Sequence, residues 1–295
     1  MKGLRFPKII PVCILLLSVT SCIWDDNSEC GRDITFAFRY DYNMQYTDRF
    51  REQINRVQLY IYDEQELLAA HEEIDGQQVS LTLQPGKYTA IAWGYNHEEN
   101  FISYDTDTMT HMKTEYKAIK DGTTRAILPG FMFHSRVSLE VKDKEQTEIM
   151  SMTKNTNNIQ IIIRGLNKNS GTKIEIEADN SSYQYDNTLT ADTTIRYEPT
   201  NTIFSDSIQA NSQILRLVPN DINVILHVDK TDAANRSVQP LIPIPLVPLL
   251  LRDISMNPAE YLDRQDTYTI RITVQTDGSI ITESWDEIHT DETLK

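Results

Sequence analysis

Residues 83–94, Leu83-Gln84-Pro85-Gly86-Lys87-Tyr88-Thr89-Ala90-Ile91-Ala92-Trp93-Gly94, decide the fold class. Pro85 presets φ and Gly86 tolerates positive φ, so the pair predicts a hairpin: a tight reversal between a strand ending at Leu83 and one beginning at Tyr88. Along the second strand Tyr88, Ala90 and Ala92 share one face, while Thr89, Ile91 and Trp93 share the other. Both faces carry apolar weight, as an inner strand of a β-sandwich requires.

The period of two extends outward from there. Ile34, Phe36, Phe38, Tyr40 and Tyr42 alternate with Asp33, Thr35, Ala37, Arg39 and Asp41. Residues 57–62, 79–83 and 137–141 read as strands, and so do 159–163, 174–176, 214–218, 224–228 and 268–274 in the second half. Helical spacing is confined to 48–54 and 258–262, each long enough for a turn or two and neither carrying an apolar stripe. The fold class is therefore all-β, in sandwiches. Residues 142–158 are polar, with the charged run Lys142-Asp143-Lys144-Glu145 and an Asn-rich end, and lie near the midpoint. A domain boundary is expected there: a signal peptide at 1–21, an acidic tether at 22–32, one sandwich over 33–154 and a second over 155–295.

Composition narrows the function. At roughly 100–200 residues per domain, 295 residues suit about two domains, and 40% hydrophobic with 24% charged residues suits a folding chain. A formal net charge of −15 repels phosphate backbones, so nucleic acid is not an expected partner. Ten glycines, with no G-x-G-x-x-G or G-x-x-x-x-G-K-[ST], leave no cradle for a nucleotide cofactor.

Lys2, Arg5 and Lys8 precede an apolar stretch over 9–19 that ends in Thr20 and Ser21, the pattern of a secretory signal peptide. Its apolar part is about eleven residues where a spanning helix needs about 20, and the apolar run 241–251 is broken by Pro243, Pro245 and Pro248. The mature chain is not expected to span a bilayer. Val19-Thr20-Ser21-Cys22 resembles the lipobox of bacterial lipoproteins in its relaxed Bacteroidetes form, which makes Cys22 the expected lipidated first residue. A thiol is needed because the diacylglycerol thioether forms on sulfur, and several acyl chains, at about 0.8 kcal/mol per buried CH₂, hold a protein firmly on a membrane. Asp25 and Asp26 resemble the acidic tether that sends such lipoproteins across the outer membrane, with a solvated linker as the plain alternative. With Cys13 in the signal and Cys22 acylated, Cys30 has no partner left for an intrachain disulfide.

Positive signs of an enzyme are missing. His71, His97, His111, His134, His227 and His289 form neither H-E-x-x-H nor an H-x-H pair, so no catalytic metal is expected. Asp105 and Asp107 alternate as in some calcium loops, but lack the following Gly and the closing Glu. No G-x-S-x-G elbow occurs.

The cysteines and acidic stretch of Cys22-Ile-Trp-Asp-Asp-Asn-Ser-Glu-Cys30, a Tyr-x-Tyr-Asp strand end and the Pro-Gly-x-Tyr…Ala-Trp-Gly segment together resemble the FimB-type fimbrial anchor lipoproteins of the Bacteroidetes fimbrillin superfamily. The likeness is specific in the N-terminal half and generic after Lys142, at 159–165 and 268–274. It implies two tandem transthyretin-like, Greek-key β-sandwich domains behind a lipoprotein signal, an outer-membrane anchor on Cys22, fimbrillin subunits as partners, and no catalytic residues or cofactor. Strand pairing with a fimbrillin subunit is the expected joining chemistry. The alternative is a surface lipoprotein binding a glycan or host ligand, with the alternating pairs Tyr40/Tyr42, Tyr60/Tyr62 and Tyr183/Tyr185 as a stacking platform.

One more segment asks for burial. The run 239–251 is apolar, yet its prolines forbid full pairing, so it reads as an edge strand or a covered irregular segment. Strict alternation would place Pro243 and Pro245 on one face and Pro248 on the other. Two outcomes stay open: an edge packed on its own core, or an edge beside a docking groove.

Overall fold

The alternation of residues 33–41 becomes strand β1 (Arg32–Arg39), in which Ile34, Phe36 and Phe38 are fully buried and Asp33 and Arg39 are exposed. The structure is a computed structural model, and its description covers residues 31–97, 100–117, 125–126, 130–142, 144–166, 171–191, 193–231, 238–240, 243–275 and 279–286. The signal, Cys22, Asp25, Asp26 and Cys30 lie outside the described residues.

Up to residue 154 the strands after β1 are β2 (Arg56–Tyr62), β3 (Leu68–Ile74), β4 (Gln78–Leu83), β5 (Gly86–Tyr95), β6 (Phe101–Tyr104), β7 (Lys113–Tyr116), β8 (Arg125–Ala126), β9 (Met132–Val141), β10 (Gln146–Ser151) and β11 (Thr153–Lys154). Next come β12 (Thr156–Arg164), β13 (Gly171–Ala178), β14 (Ser182–Gln184), β15 (Leu189–Thr190), β16 (Ile195–Tyr197), β17 (Thr200–Ile203) and β18 (Ser207–Leu215). The remainder are β19 (Ile225–Thr231), β20 (Val238–Pro240), β21 (Ile244–Pro245), β22 (Thr267–Val274) and β23 (Ile280–Asp286). Short α-helices interrupt them, α1 (Phe50–Gln53), α2 (Leu246–Leu250) and α3 (Pro258–Arg264) among the described residues, with a single 3-10 turn over Met109–His111. Helices α1 and α3 fall on the two segments whose spacing allowed a helical turn. Asn257 caps α3 by accepting from the backbone N–H of Ala259 and Glu260, and Pro258 occupies the first turn, where its missing donor costs nothing.

Two sandwiches result. In the first, β10-β1-β4 packs on β11-β9-β5-β2-β3, enclosing Ile34, Phe36 and Phe38 with Val57, Leu59, Ile61, Ala90, Ala92 and Phe133. In the second, β17-β18-β12-β22-β23 packs on β20-β19-β13-β16-β8, enclosing Ile159, Ile161 and Ile163 with Ile174, Ile176 and Leu226. A smaller sheet, β15-β14-β7-β6, joins residues 101–116 to residues 182–190, and β8 pairs in parallel with β16. Hydrogen-bonded strands thus run across position 154.

Strand β5 explains the two apolar faces of residues 88–94. Ala90 and Ala92 enter the first core, whereas Ile91, Trp93 and Tyr95 enter the second, so this sheet is covered on both sides. The predicted hairpin does not form. β4 pairs with β1, while β5 pairs with β2 and β9, so Pro85-Gly86 carries the chain from one layer to the other. The described glycines with positive φ are Gly130 and Gly165, and Gly86 is not among them. A Pro-Gly corner suits an arch between sheets as well as a hairpin, and partner choice is settled by distant strands.

The polar run 142–158 divides in two: Lys142, Lys144 and Glu145 are exposed as expected, whereas its Asn-rich end is not. The run holds β10, β11 and the start of β12, and Lys154, Asn155, Thr156 and Asn157 are buried. Asn155 N–H donates to Met132 O at 2.6 Å, and its carbonyl accepts from Tyr183 Oη at 2.6 Å and Arg216 N at 2.9 Å. Asn157 donates through Nδ2 to Gln265 O and accepts from Leu217 N, each at 3.0 Å. Polarity here satisfies buried backbone groups rather than facing water.

The proline-rich run packs on its own core. Ile244, Leu246, Val247, Leu249 and Leu250 are buried, β21 pairs with β19, and Leu246 N donates to Val224 O at 2.9 Å. Pro243, Pro245 and Pro248 are all exposed. Strict alternation separated them, but α2 begins at Leu246 and changes the period, which returns Pro248 to the solvent side.

Candidate functional site

Four-residue β17 is an edge strand, paired with β18 from Thr200↔Asn211 to Ile203↔Ile208 and with no other described strand. All four of its side chains are exposed. Ile203 is 74% exposed and the adjoining Phe204 49%, an unusual placement for two successive large apolar residues. Phe204 N donates to Ser207 O at 2.8 Å and closes the tip that returns the chain into β18.

Beneath this tip lies a cavity of about 180 Å³ whose apolar wall is formed by Ile163, Leu166 and Ile208, with Gly171 and Thr172 opposite. It opens between the sheet of β12 and β18 and the sheet of β13, at one end of the second sandwich. Gly165 fixes that end: its φ is +80°, and a Cβ there would lie 2.0 Å from the carbonyl oxygen of Val274. Only glycine lets β12 leave its sheet this close to β22.

Two other edges are guarded. β3 exposes Glu72 and Glu73, and its ladder with β2 is irregular at Ile61/Tyr62. The outer side of β23 is approached by Arg252, whose Nη1 donates to Thr282 O at 3.3 Å. Charge, irregularity and capping are the usual ways of blunting an edge. β17 has none of these and offers main-chain groups beside an apolar groove, the chemistry for adding a strand.

The tyrosine pairs are not a platform. Tyr40, Tyr60, Tyr62 and Tyr183 are buried. Tyr42 lies under the Arg264 guanidinium at 4.1 Å and Tyr185 under Arg136 at 5.2 Å. Of the three pairs only Tyr60 and Tyr62 lie together in one strand, β2, whose sheet is covered on both faces.

Histidines serve packing too. His134 is buried against Trp93, ring centroids 4.6 Å apart, and its Nε2 hydrogen-bonds Tyr185 O at 3.0 Å; burial lowers its pKa to about 3. His71 stacks on Tyr60 at 4.4 Å. Among the described residues no group of three or more His, Cys, Asp or Glu could hold a metal ion, and no helix is long and apolar enough to cross a membrane. Asp105 and Asp107 sit in the loop after β6 without further carboxylates gathered round them.

The sequence reading missed β17, although Ile203-Phe204 set among Asn201, Thr202, Ser205 and Asp206 was a visible signal: two large apolar residues inside a turn-rich stretch.

Known proteins share this architecture. The family model of the fimbrillin-A associated anchor proteins Mfa1 and Mfa2 matches residues 27–291. Among solved structures, the chain is similar to the fimbrial anchor protein Mfa2 from Porphyromonas gingivalis, at 17% identity and TM-score 0.70 over 88% of this chain and 98% of that one. It is also similar to two proteins from Bacteroides thetaiotaomicron. A candidate adhesin has 23% identity and TM-score 0.73 over 88% and 97% of the two chains. A candidate polysaccharide-binding protein has 19% identity and TM-score 0.74 over 86% and 98%. No curated protein matches. At these identities the structures speak for the fold, while the family match spans nearly the whole chain. The chain belongs to the Mfa2 family of fimbrillin-A associated anchor proteins and is a fimbria-associated surface protein.

Proposed function

We propose that this protein is a non-enzymatic lipoprotein, held in the outer membrane by acyl chains on Cys22, that anchors or assembles a fimbria by pairing a strand of a fimbrillin subunit with β17. Its working parts would be the acidic tether over 22–32 and the two sandwiches over 33–154 and 155–295. The observation that carries the joining step is the uncovered β17 edge, with Ile203 74% exposed beside the groove of Ile163, Leu166 and Ile208. An added strand would gain main-chain hydrogen bonds along β17 and bury an apolar side chain in the groove, at roughly 25 cal/mol per Å² removed from water.

The test is capture of a purified fimbrillin subunit by the detergent-solubilised full chain. Replacing both Ile203 and Phe204 by Asp should cut capture at least tenfold while shifting the thermal midpoint by no more than about 2 °C, since exposed positions typically carry within about 0.5 kcal/mol. Undiminished capture would remove β17 from the mechanism. If no fimbrillin-like protein co-purified from envelopes, and deletion left fimbriae unchanged in amount and length, the anchoring role itself would fall.

A further inference from the structure

The direction of the main-chain groups along β17 is set at its tip. Phe204 N donates to Ser207 O, which makes Phe204 and Ser207 a hydrogen-bonded pair of the hairpin. In an antiparallel ladder such pairs alternate with pairs whose N–H and C=O groups point away from the neighbouring strand. The register from Thr200↔Asn211 to Ile203↔Ile208 therefore gives the main-chain groups of Thr200 and Thr202 to β18. It turns the N–H and C=O of Asn201 and Ile203 outward, to the side where no other described strand lies. Pro199, next in that alternation, has no N–H to give, so the outward donors of this edge end with Asn201.

The same register sorts the side chains. Ile203 lies beside Ile208 and Ile208 beside Ile163, so three isoleucines form one row across β17, β18 and β12. Ile163 is fully buried in the second core, Ile208 is half-buried and Ile203 is 74% exposed. The row runs from the core into water and stops with its last member bare on one side. On the opposite face β17 and β18 present Thr200, Thr202, Gln209 and Asn211, a polar surface.

Outward main-chain groups and the unfinished apolar row coincide at Ile203. We infer, resting on the reading of β17 as the joining edge, that the fimbrillin segment taken there is an extended stretch held in a single register. It exchanges main-chain bonds with Asn201 and Ile203, sets an aliphatic side chain beside Ile203 as the fourth member of the isoleucine row, and turns polar residues before and after that one towards the face of Thr202 and Gln209. Parallel and antiparallel approach use the same two residues, since both draw on the outward-facing groups. A segment shifted by one residue would bring its aliphatic side chain to the polar face and a polar one against Ile203, so the period of two selects among segments.

Residue-resolved amide exchange in the detergent-solubilised full chain tests the alternation without a partner: Asn201 and Ile203 should exchange at least tenfold faster than Thr202 and Phe204. Adding the purified fimbrillin subunit should slow Asn201 and Ile203 at least tenfold and the other two far less. Asn201→Pro, which deletes one outward N–H, should weaken capture at least tenfold more than Asn201→Ala, which keeps it, and Ile203→Asp at least tenfold more than Thr202→Asp. Equal exchange at the four amides, Asn201→Pro no worse than Asn201→Ala, or equal losses from the two aspartates would overturn this register, while the double change at Ile203 and Phe204 separately reports whether β17 docks at all. An unaltered chain that captured no fimbrillin would overturn both readings.

Discussion

Tyr40 and Asp266, 226 residues apart in sequence, are joined by a 2.5 Å hydrogen bond from phenol to carboxylate. The other carboxylate oxygen lies 3.5 Å from the Lys154 ammonium, which is buried, bonds Gln53 Oε1 at 3.1 Å and sits 3.8 Å from the centroid of the Phe131 ring. Burial, reinforced by Asp266, holds the Tyr40 phenol well above the usual tyrosine range, so it remains a donor. Tyr40 just after β1, Lys154 of β11 and Asp266 just before β22 therefore meet in one charged cluster inside the protein.

Tyr40→Phe removes one bond to that carboxylate and nothing else of comparable size. Hydrogen bonds to charged groups contribute about 1.5–3 kcal/mol, and urea unfolding should show a loss in that range at unchanged slope. An unaltered midpoint would mean that the phenol adds nothing beyond packing.

Acid should weaken the fold through His134. Its folded pKa is lowered to about 3 by burial, against about 6.5 for an unfolded histidine, so below pH 6.5 the unfolded chain takes up a proton that the folded one refuses. Stability from this group is complete above pH 6.5 and falls as pH drops, by about 2 kcal/mol at pH 5. His134→Gln should flatten that limb between pH 5 and 7 by this amount. Equal slopes for both proteins would show that other groups govern it.

Ile244→Asp places a carboxylate where the side chain is 8% exposed and packed in the second core. A loss above about 3 kcal/mol is expected, with subunit capture falling only in proportion to the unfolded fraction. Lost capture at an unchanged midpoint would restore this run as a docking edge.

If Cys22 is the acylated residue we propose, Cys22→Ala should abolish membrane retention and incorporation of a labelled fatty-acid analogue, since several acyl chains are what hold a lipoprotein on a membrane. Labelling that persisted in the variant would contradict lipidation at this sulfur. Asp25→Asn with Asp26→Asn should leave the protein lipidated yet hidden from protease added to whole cells; undiminished digestion would reduce the pair to a linker.

Strands with clean alternation, such as β1 with Ile34, Phe36 and Phe38 or β12 with Ile159, Ile161 and Ile163, were legible because a period of two needs no knowledge of partners. Pairing was not. Leu83-Gln84-Pro85-Gly86 reads the same whether the next strand returns beside the first or crosses to the other layer, and only the commitment of β5 to β2 and β9 decides between them. The polar run ending in Asn155 and Asn157 misled for a related reason, since amides that bridge buried backbone groups look like solvent-facing ones in sequence. Asn158 and Gln160 were visible as the polar side of β12, but their alignment with Gln213 and Asn211 is a fact of register. Tyr60 and Tyr62 suggested display because β2 was not known to lie in a sheet covered on both sides, Tyr60 and Tyr62 in one core and Leu59 and Ile61 in the other.

The small sheet in which β7 pairs with β14 has a mechanical meaning. A stretching force applied between residues 31 and 286 does not pass from one sandwich to the other through the peptide chain at 154–156 alone. It is shared with the ladder of Thr114 against Tyr183 and with the parallel contact of β8 and β16. Separating the two bodies requires these bonds and the Tyr40–Asp266 bond to break as well, so the molecule resists tension as a braced truss and not as two beads on a string.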